Sequence, residues 1–513
     1  MAIYVFSLMV NYISSGVDMA QGIRSEFLRK KNQPVFYVFE ELPGERELLM
    51  YEELGIKKSE MMNMHLFLAD NFDVSGEYKV SEHLQEIMDR LQATETLTEE
   101  QEIRLIRNGS RVASLILSKD RESIIEINYY NRERLILREY YAGRVLYRDY
   151  FATTKGNGYY YAKKVRTSFL NKTGNTVYDC LYGDKNEETY VFSKGDTYTK
   201  QQLIEKFMQK LEFSDKDTLF VDRPSYLDFV QPLFKHKNKA KTVMFLHAGH
   251  FFEKDESISS LGLSIDYYYW FRNSDLIDMM LVSTEEQKKE VKECLESFLC
   301  HVPEIEVIPA ACLYELKYPV GKRKKHSLLT VSRLVYNKRI EWIVASAIKA
   351  HEKVSDLTLD VYGDGDKPYI DRITQMIKEH NAESYIQLLG HCDVQEVYKN
   401  YEIYVSASVR ETLGLSVMEA VGSGTAVVVL NVKYGNRLFV EPGKNGSLID
   451  FIAADSNDED KVEQLTSEMA QAIVELCDEA TDLSTYHEHS YKIAEPFLKE
   501  HIERRWMEVL NNL

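Results

Sequence analysis

The chain has 513 residues, of which 44% are hydrophobic and 28% charged, and its 63 Lys and Arg against 81 Asp and Glu leave a formal net charge of -18. That length is past the point at which one hydrophobic core keeps growing, so two or three globular domains are expected, and the composition excludes a disordered or fibrous chain. The acidic balance excludes general nucleic-acid binding, which draws most of its affinity from neutralised phosphates. Any phosphate contact must therefore be local.

From the amino terminus, an apolar strand (Ile3 to Leu8) leads through a Ser14-Ser15-Gly16 loop into a helical stretch from Val17 to Lys30 and a second strand, Val35 to Phe39. This is the opening βαβ of a doubly wound domain. The first apolar run has no basic residues ahead of it and no small-residue cleavage site after it, which favours a buried strand over a signal peptide. Residues 1–99 are assigned to the first part of an amino-terminal Rossmann-like domain.

Residues 100–195 change character. Runs such as IRLIRN, ASLILS, SIIEINYY, RLILREYY and ETYVF are separated by NGS, SKDRES, NRE, AGR and KGNG turns. Parallel strands would need helix-length crossovers, for which there is no room, so an antiparallel meander inserted in the first domain is predicted. Exposed strands of such an insertion offer backbone groups to an extended chain or a partner subunit.

Helices and strands alternate again over 196–320, with TLFVD, TVMFLH and MMLVS as candidate parallel strands. The basic run Lys322-Arg323-Lys324-Lys325 is read as a solvated linker between domains. A second α/β series occupies 321–483: SLLTVS, a helix from about Lys338 to Glu352, then LTLDVYG, IQLLG, YEIYVSAS, TAVVVL and GSLID. Strands apolar along their whole length fit a parallel sheet covered on both faces. Residues 484–513 are helical in pattern. The fold class is therefore α/β with two doubly wound domains, whose ligands bind in a cleft at the carboxyl ends of the strands.

Chemistry is concentrated in the second series. Glu411 and Glu419 flank Thr412, Leu413, Gly414 and Leu415 in an E-x7-E segment that enters a helix near Leu413. Glutamates at this spacing also arise as a solvated pair, so the segment alone decides little. Ser332 and Arg333 end the strand SLLTVS and Lys338 opens the next helix, which places two cations at a strand's carboxyl end in the same domain. Cations held there suit a diphosphate leaving group. Gly363, with Asp364 and Gly365, reads mainly as a tight strand-to-helix turn and secondarily as a pocket wall. Cys180, Cys294, Cys300, Cys312, Cys392 and Cys477 show no metal or disulfide spacing, which fits a reducing cytoplasm.

The combination of SRL-x3-K, YG-x-G, E-x7-E and the glycines Gly422 and Gly424 resembles the retaining GT-B glycosyltransferases of family four over residues 200–513. The start SSGVDMAQG, the meander, HAGHF and Tyr434-Gly435-Asn436 narrow the resemblance to the GtfA-type catalytic subunits of the accessory Sec system, with wall teichoic acid N-acetylglucosaminyltransferases next. The resemblance implies that Arg333 and Lys338 hold a diphosphate, Glu419 the ribose and Glu411 the donor sugar. It implies that Ser15 and Gly16 bring backbone N–H groups to the phosphates, that Leu389, Gly390 and His391 cradle uracil, and that His247 sits beside donor sugar and acceptor, with His250 nearby. No cofactor and no metal are implied. The resemblance implies UDP-N-acetylglucosamine or UDP-glucose as donor, a Ser/Thr-rich adhesin polypeptide as acceptor, and a GtfB-type partner subunit, with peripheral membrane association through that partner as a further expectation. A non-catalytic acceptor-binding subunit and a teichoic acid glycosyltransferase remain alternatives.

Overall fold

The computed structural model describes every residue except Met1, 8–15, 43, 157–158, 185–186, 223–226 and 251–262. The chain divides into two compact units, Met1–Thr242 and Val243–Leu513.

In the first unit four parallel strands run in the order Thr218–Val221, Ile3–Phe6, Val35–Phe39, Met61–Asn63. The helix Gly16–Arg29 follows the first strand and buries Ala20, Phe27 and Leu28. Its Arg24 is also buried, and its guanidinium is paired with the carboxylate of Asp222 just past the strand Thr218–Val221. In chain order, between Met61–Asn63 and Thr218–Val221, comes a separate ten-stranded antiparallel sheet in which every strand pairs with its neighbours in sequence, from Glu95–Glu99 to Thr197–Tyr198. The predicted meander is present, and it includes two strands that the apolar runs did not mark. Those two form the edges. Glu95–Glu99 is exposed along its whole length and carries a glutamate at each end, while Thr197–Tyr198 spans only 2 residues. Charge and shortness are the usual means of blunting an edge against stray pairing. Tyr147, Tyr178 and Tyr190 are core, whereas Tyr159, Tyr160 and Tyr161 at the start of the strand Tyr159–Leu170 are 79%, 62% and 52% exposed.

The second unit carries two parallel arrays. Lys241–Phe245, whose first residues belong to the other unit, is followed by Met279–Val282 and Glu304–Val307. The six-stranded sheet has the order Ile386–Gly390, Thr358–Tyr362, Lys324–Val331, Tyr401–Ser406, Ala426–Leu430, Gly446–Ile449, parallel throughout. Numbered within the sheet this is 3-2-1-4-5-6, the doubly wound Rossmann order. Ala426–Leu430 reads AVVVL and is buried at every position, as a strand covered by helices on both faces must be. The helices Ile340–His351 and Glu459–Cys477 supply one cover, contributing Ile343, Ala347, Met469 and Ile473 to the core.

The basic run is not a solvated linker throughout. Lys324 and Lys325 begin the first strand of the sheet, and Arg323 turns inward to donate to the carbonyls of Lys399, Tyr401 and Ser423 at 2.7–2.9 Å and to the Tyr491 hydroxyl at 3.2 Å. A guanidinium with that many fixed acceptors ties the strand starts to the carboxyl-terminal helix Leu483–Ala494. The terminal stretch is two helices, Leu483–Ala494 and Lys499–Asn512, separated by a short turn at Glu495–Phe497.

Candidate functional site

In the six-stranded sheet the winding direction reverses between Lys324–Val331 and Tyr401–Ser406, and loops leaving adjacent strand ends at such a point diverge to form a crevice. The first loop carries Ser332, Arg333 and Lys338; the second carries Glu411 to Gly414. They are tied together by Val409 N–H donating to Asn337 O at 3.1 Å and by the Tyr404 hydroxyl donating to Val331 O at 3.3 Å.

Lys338 lies in a short 3-10 turn, Tyr336–Lys338, and the helix begins at Ile340, after the position read from sequence. The delay has a cause in Arg339, which takes the left-handed conformation (φ 47°) while its buried guanidinium stacks 3.7 Å from the Tyr336 ring and 4.6 Å from Trp342. That turn sends Lys338 the other way. Its ammonium meets Glu411 Oε1 at 2.5 Å, with side-chain exposures of 18% and 13%. Arg333 stays exposed in the loop.

The first loop is pressed against glycines. A Cβ on Gly363 would stand 1.8 Å from Ser332 O, and Gly363 has φ 138°, which side-chain-bearing residues rarely adopt. Ser332 N–H donates to Tyr362 O at 3.1 Å and Gly363 N–H to Gly390 O at 2.8 Å, so the three strand ends brace one another. Gly363 is thus a close-approach turn, the first of the two readings made for it. Leu389 (44% exposed) and His391 lie at the end of the outer strand Ile386–Gly390.

The helix of the E-x7-E segment starts at Leu415, two residues later than expected, because Gly414 is left-handed (φ 79°) and caps it. Met418 N–H makes an early intrahelical bond to Gly414 O at 2.9 Å, and the N–H groups preceding it face the crevice end, as at any helix start. Thr412 is half-buried and Leu413 buried. Glu411 is held through its backbone, its carbonyl accepting from Tyr434 N–H at 2.6 Å and Gly435 N–H at 3.0 Å. Gly435 admits this approach, since a Cβ there would be 1.8 Å from Leu413 O. Glu419, on the helix, accepts from the hydroxyl of buried Tyr398 at 2.8 Å. Burial raises its carboxyl above the ordinary range, and the Tyr398 hydrogen bond partly offsets this.

His247 follows the strand Lys241–Phe245 and stacks on Phe245 with ring centroids 4.2 Å apart. Its loop is clamped by Gln287, whose Nε2 donates to Leu246 O at 3.3 Å and Ala248 O at 3.2 Å. Gln287 belongs to the helix Glu285–Ser297, whose start is capped by Thr284 and favoured by Glu285 and Glu286 in the first turn. One turn further on, Glu290 accepts from Lys433 Nζ at 2.6 Å and from the Tyr434 hydroxyl at 2.8 Å. His250 is buried nearby, and burial lowers it to about 4.

Residues 325–479 match the family described as glycosyl transferases group 1, and residues 94–194 match the GtfA extended beta-sheet domain. Over 519 residues the chain is 30% identical to the UDP-N-acetylglucosamine--peptide N-acetylglucosaminyltransferase GtfA subunit of Streptococcus gordonii, covering 100% of this chain and 99% of that one. The chain belongs to the GtfA-type glycosyltransferases. Among solved structures it is similar to the pneumococcal O-GlcNAc transferase GtfA in complex with UDP and GlcNAc (TM-score 0.86, 28% identity, 100% of this chain and 99% of that one). It is also similar to a chain of the GtfA/B complex (TM-score 0.85, 29% identity, 100% and 99%).

In this GtfA-type chain the second unit brings Lys338 and Glu411 into direct contact, and joins Ser332, Gly363 and the end of the Leu389 strand at one sheet edge. Arg333 shares the Lys338 loop, and Glu419 lies on the helix that Gly414 and Leu415 open. Gly16 belongs to the first unit, where it begins the helix Gly16–Arg29 and is exposed. Ser15 lies outside the described residues, as does the last residue of the HAGHF segment. Sequence reasoning missed Tyr398, Gln287 and Glu290. Tyr434 entered only through the resemblance; a Tyr-Gly-Asn turn carries no chemical signal of its own.

Asp-x-Asp spacing does occur, at Asp215–Asp217, Asp364–Asp366 and Asp458–Asp460, but one carboxylate of each serves the backbone: Asp364 accepts from Gly365 N–H, and Asp458 caps its helix by accepting from Asp460 and Lys461 N–H. Asp364 O accepts from Leu334 N–H at 2.9 Å, and Asp217 accepts from Ala2 N–H and from Ser214. Among the described residues no cluster of His, Cys, Asp and Glu has the makings of a metal site, and no helix is long and apolar enough to cross a membrane.

Proposed function

We propose that this chain transfers N-acetylglucosamine from UDP-N-acetylglucosamine to serine or threonine hydroxyls of a polypeptide, with retention at the anomeric carbon. The observation that carries the reading is the Lys338–Glu411 pair at the switch point of the Rossmann sheet, in a chain related over its full length to the GtfA peptide N-acetylglucosaminyltransferase of S. gordonii. Arg333 and Lys338 take the diphosphate, whose growing negative charge in the transition state is what fixed cations stabilise. Glu411, already beside Lys338, addresses the donor sugar, and Glu419 accepts from the ribose hydroxyls. Front-face attack, with the departing phosphate oxygen taking the acceptor proton, needs no protein nucleophile. With two cations on the leaving group, no metal is required.

The acceptor is taken to be a serine-rich-repeat adhesin and the site of action the cytoplasm, where all six cysteines persist as free thiols. A GtfB-type partner and the extended acceptor are assigned to the antiparallel sheet, on the support of exposed Tyr159, Tyr160 and Tyr161 with Arg134 4.9 Å from the Tyr160 ring.

The test is mass spectrometry of a Ser/Thr-rich polypeptide incubated with UDP-N-acetylglucosamine or UDP-glucose, with and without partner and with EDTA. N-acetylhexosamine addition that survives EDTA is expected, and Lys338→Ala should lower turnover about 100-fold, the effect of losing about 3 kcal/mol of transition-state stabilisation. Near-normal turnover by the variant, or glycosylation of polyol-phosphate polymer in place of polypeptide, would overturn the reading.

A further inference from the structure

The helix Glu285–Ser297 touches two loops that come from different sheets of the second unit. Gln287 holds the carbonyls of Leu246 and Ala248 on either side of His247. Glu290, three residues on and so on the same side of the helix, uses both carboxylate oxygens on the turn Lys433–Tyr434. Glu286 adds a third link, to Arg437 at 2.6 Å. The Lys433–Gly435 turn in turn donates the Tyr434 and Gly435 N–H groups to the carbonyl of Glu411, whose carboxylate receives Lys338.

We propose that Glu290 is a positioning residue of the transferase: through Lys433 and Tyr434 it fixes the turn that holds Glu411, and through its rigid helix it sets the spacing between Glu411 and the Gln287-held His247 loop. The inference rests on the proposed donor site. An isolated surface ion pair would have little effect, but this one is shielded, with side-chain exposures of 16% at Glu290 and 28% at Lys433, and Tyr434 is only 4% exposed. Charge-assisted hydrogen bonds to both oxygens also define direction as well as distance. His250 belongs to the same neighbourhood, feeling Glu290 and Lys433 with opposite sign.

Three measurements on Glu290→Ala test the proposal: steady-state transfer, UDP affinity by calorimetry, and hydrogen exchange over the peptide containing Tyr434 and Gly435. The expected result is a fall in kcat of about tenfold or more with a UDP Kd within about threefold of wild type, since the groups assigned to UDP are not those that Glu290 touches. The Tyr434 and Gly435 amides should exchange about tenfold faster. Glu290→Gln keeps one acceptor oxygen and should recover part of the loss. Tyr434→Phe removes a single hydroxyl from a buried ring and should move kcat and exchange in the same direction, which decides the matter if Glu290→Ala does not fold. Unchanged kcat or unchanged exchange overturns the proposal, and so does a loss of UDP affinity as large as the loss of kcat, which would make Glu290 merely structural. If the wild-type chain transfers no sugar, exchange still decides the positioning and the functional reading alone falls.

Discussion

Glu419 keeps a carboxylate half-buried against Tyr398, and burial raises its pKa. A folded-state pKa above the unfolded value means that the ionised form weakens the fold and that stability is gained as pH falls through the raised value. Glu419→Gln leaves an acceptor for Tyr398 and removes the charge. Its melting temperature at pH 7 should therefore equal or exceed that of wild type, while UDP affinity falls about 10- to 100-fold, the scale of lost charge-assisted hydrogen bonds. Melting curves and UDP calorimetry check both halves, and undiminished UDP affinity would remove Glu419 from the site. The residues proposed to bear this chemistry were legible because charged side chains at strand ends of an apolar sheet stand out. Their supports were not. Tyr398 carries no charge and lies in a short 3-10 turn, Tyr398–Asn400, ahead of the strand Tyr401–Ser406, and Gln287 and Glu290 sit in a helix, EEQKKEVKECLES, whose charges read as a solvated face.

At the scale of elements, the apolar runs of the six-stranded sheet identified its strands because burial on both faces leaves little choice of residue. Helix starts were harder. Both helices leaving the crevice begin late, behind a left-handed residue, and at Arg339 that conformation is sustained by stacking on Tyr336 and Trp342, a tertiary cause that no local preference for arginine signals. The glycine braces are a sharper test of how the crevice is built. Gly363→Ala sets a methyl group against Ser332 O and strains φ, so it should destabilise the protein by about 2 kcal/mol or more and displace the loop that carries Arg333. Denaturant titration reads the first effect and weakened UDP binding the second. A variant as stable as wild type would show that the loop yields freely.

For the molecule as a whole, three histidines are held neutral by burial: His65 is lowered to about 3, and His250 and His487 to about 4, His487 helped by the Arg323 guanidinium. Each is protonated more readily once unfolded, so each contributes stability that is present above the ordinary 6.5 and lost as pH falls toward 4. At pH 5 the loss is on the order of 1–2 kcal/mol per histidine. Raised carboxyls at Glu40, Glu126 and Glu419 act in the opposite direction and soften the slope. Melting temperature should drop by several degrees from pH 7 to pH 5, and a flat profile would show that these rings protonate without cost.

The ten-stranded sheet also has a consequence for how the chain is made. Each of its strands finds its partner in the next stretch of polypeptide, whereas the amino-terminal parallel array is completed only when Thr218–Val221 reaches Ile3–Phe6, with Ala2 N–H closing onto Asp217 across 215 positions. Nearby pairings form fast and distant ones slowly. On the ribosome, the inserted sheet can therefore mature while the strand Ile3–Phe6 still waits for Thr218–Val221 to emerge.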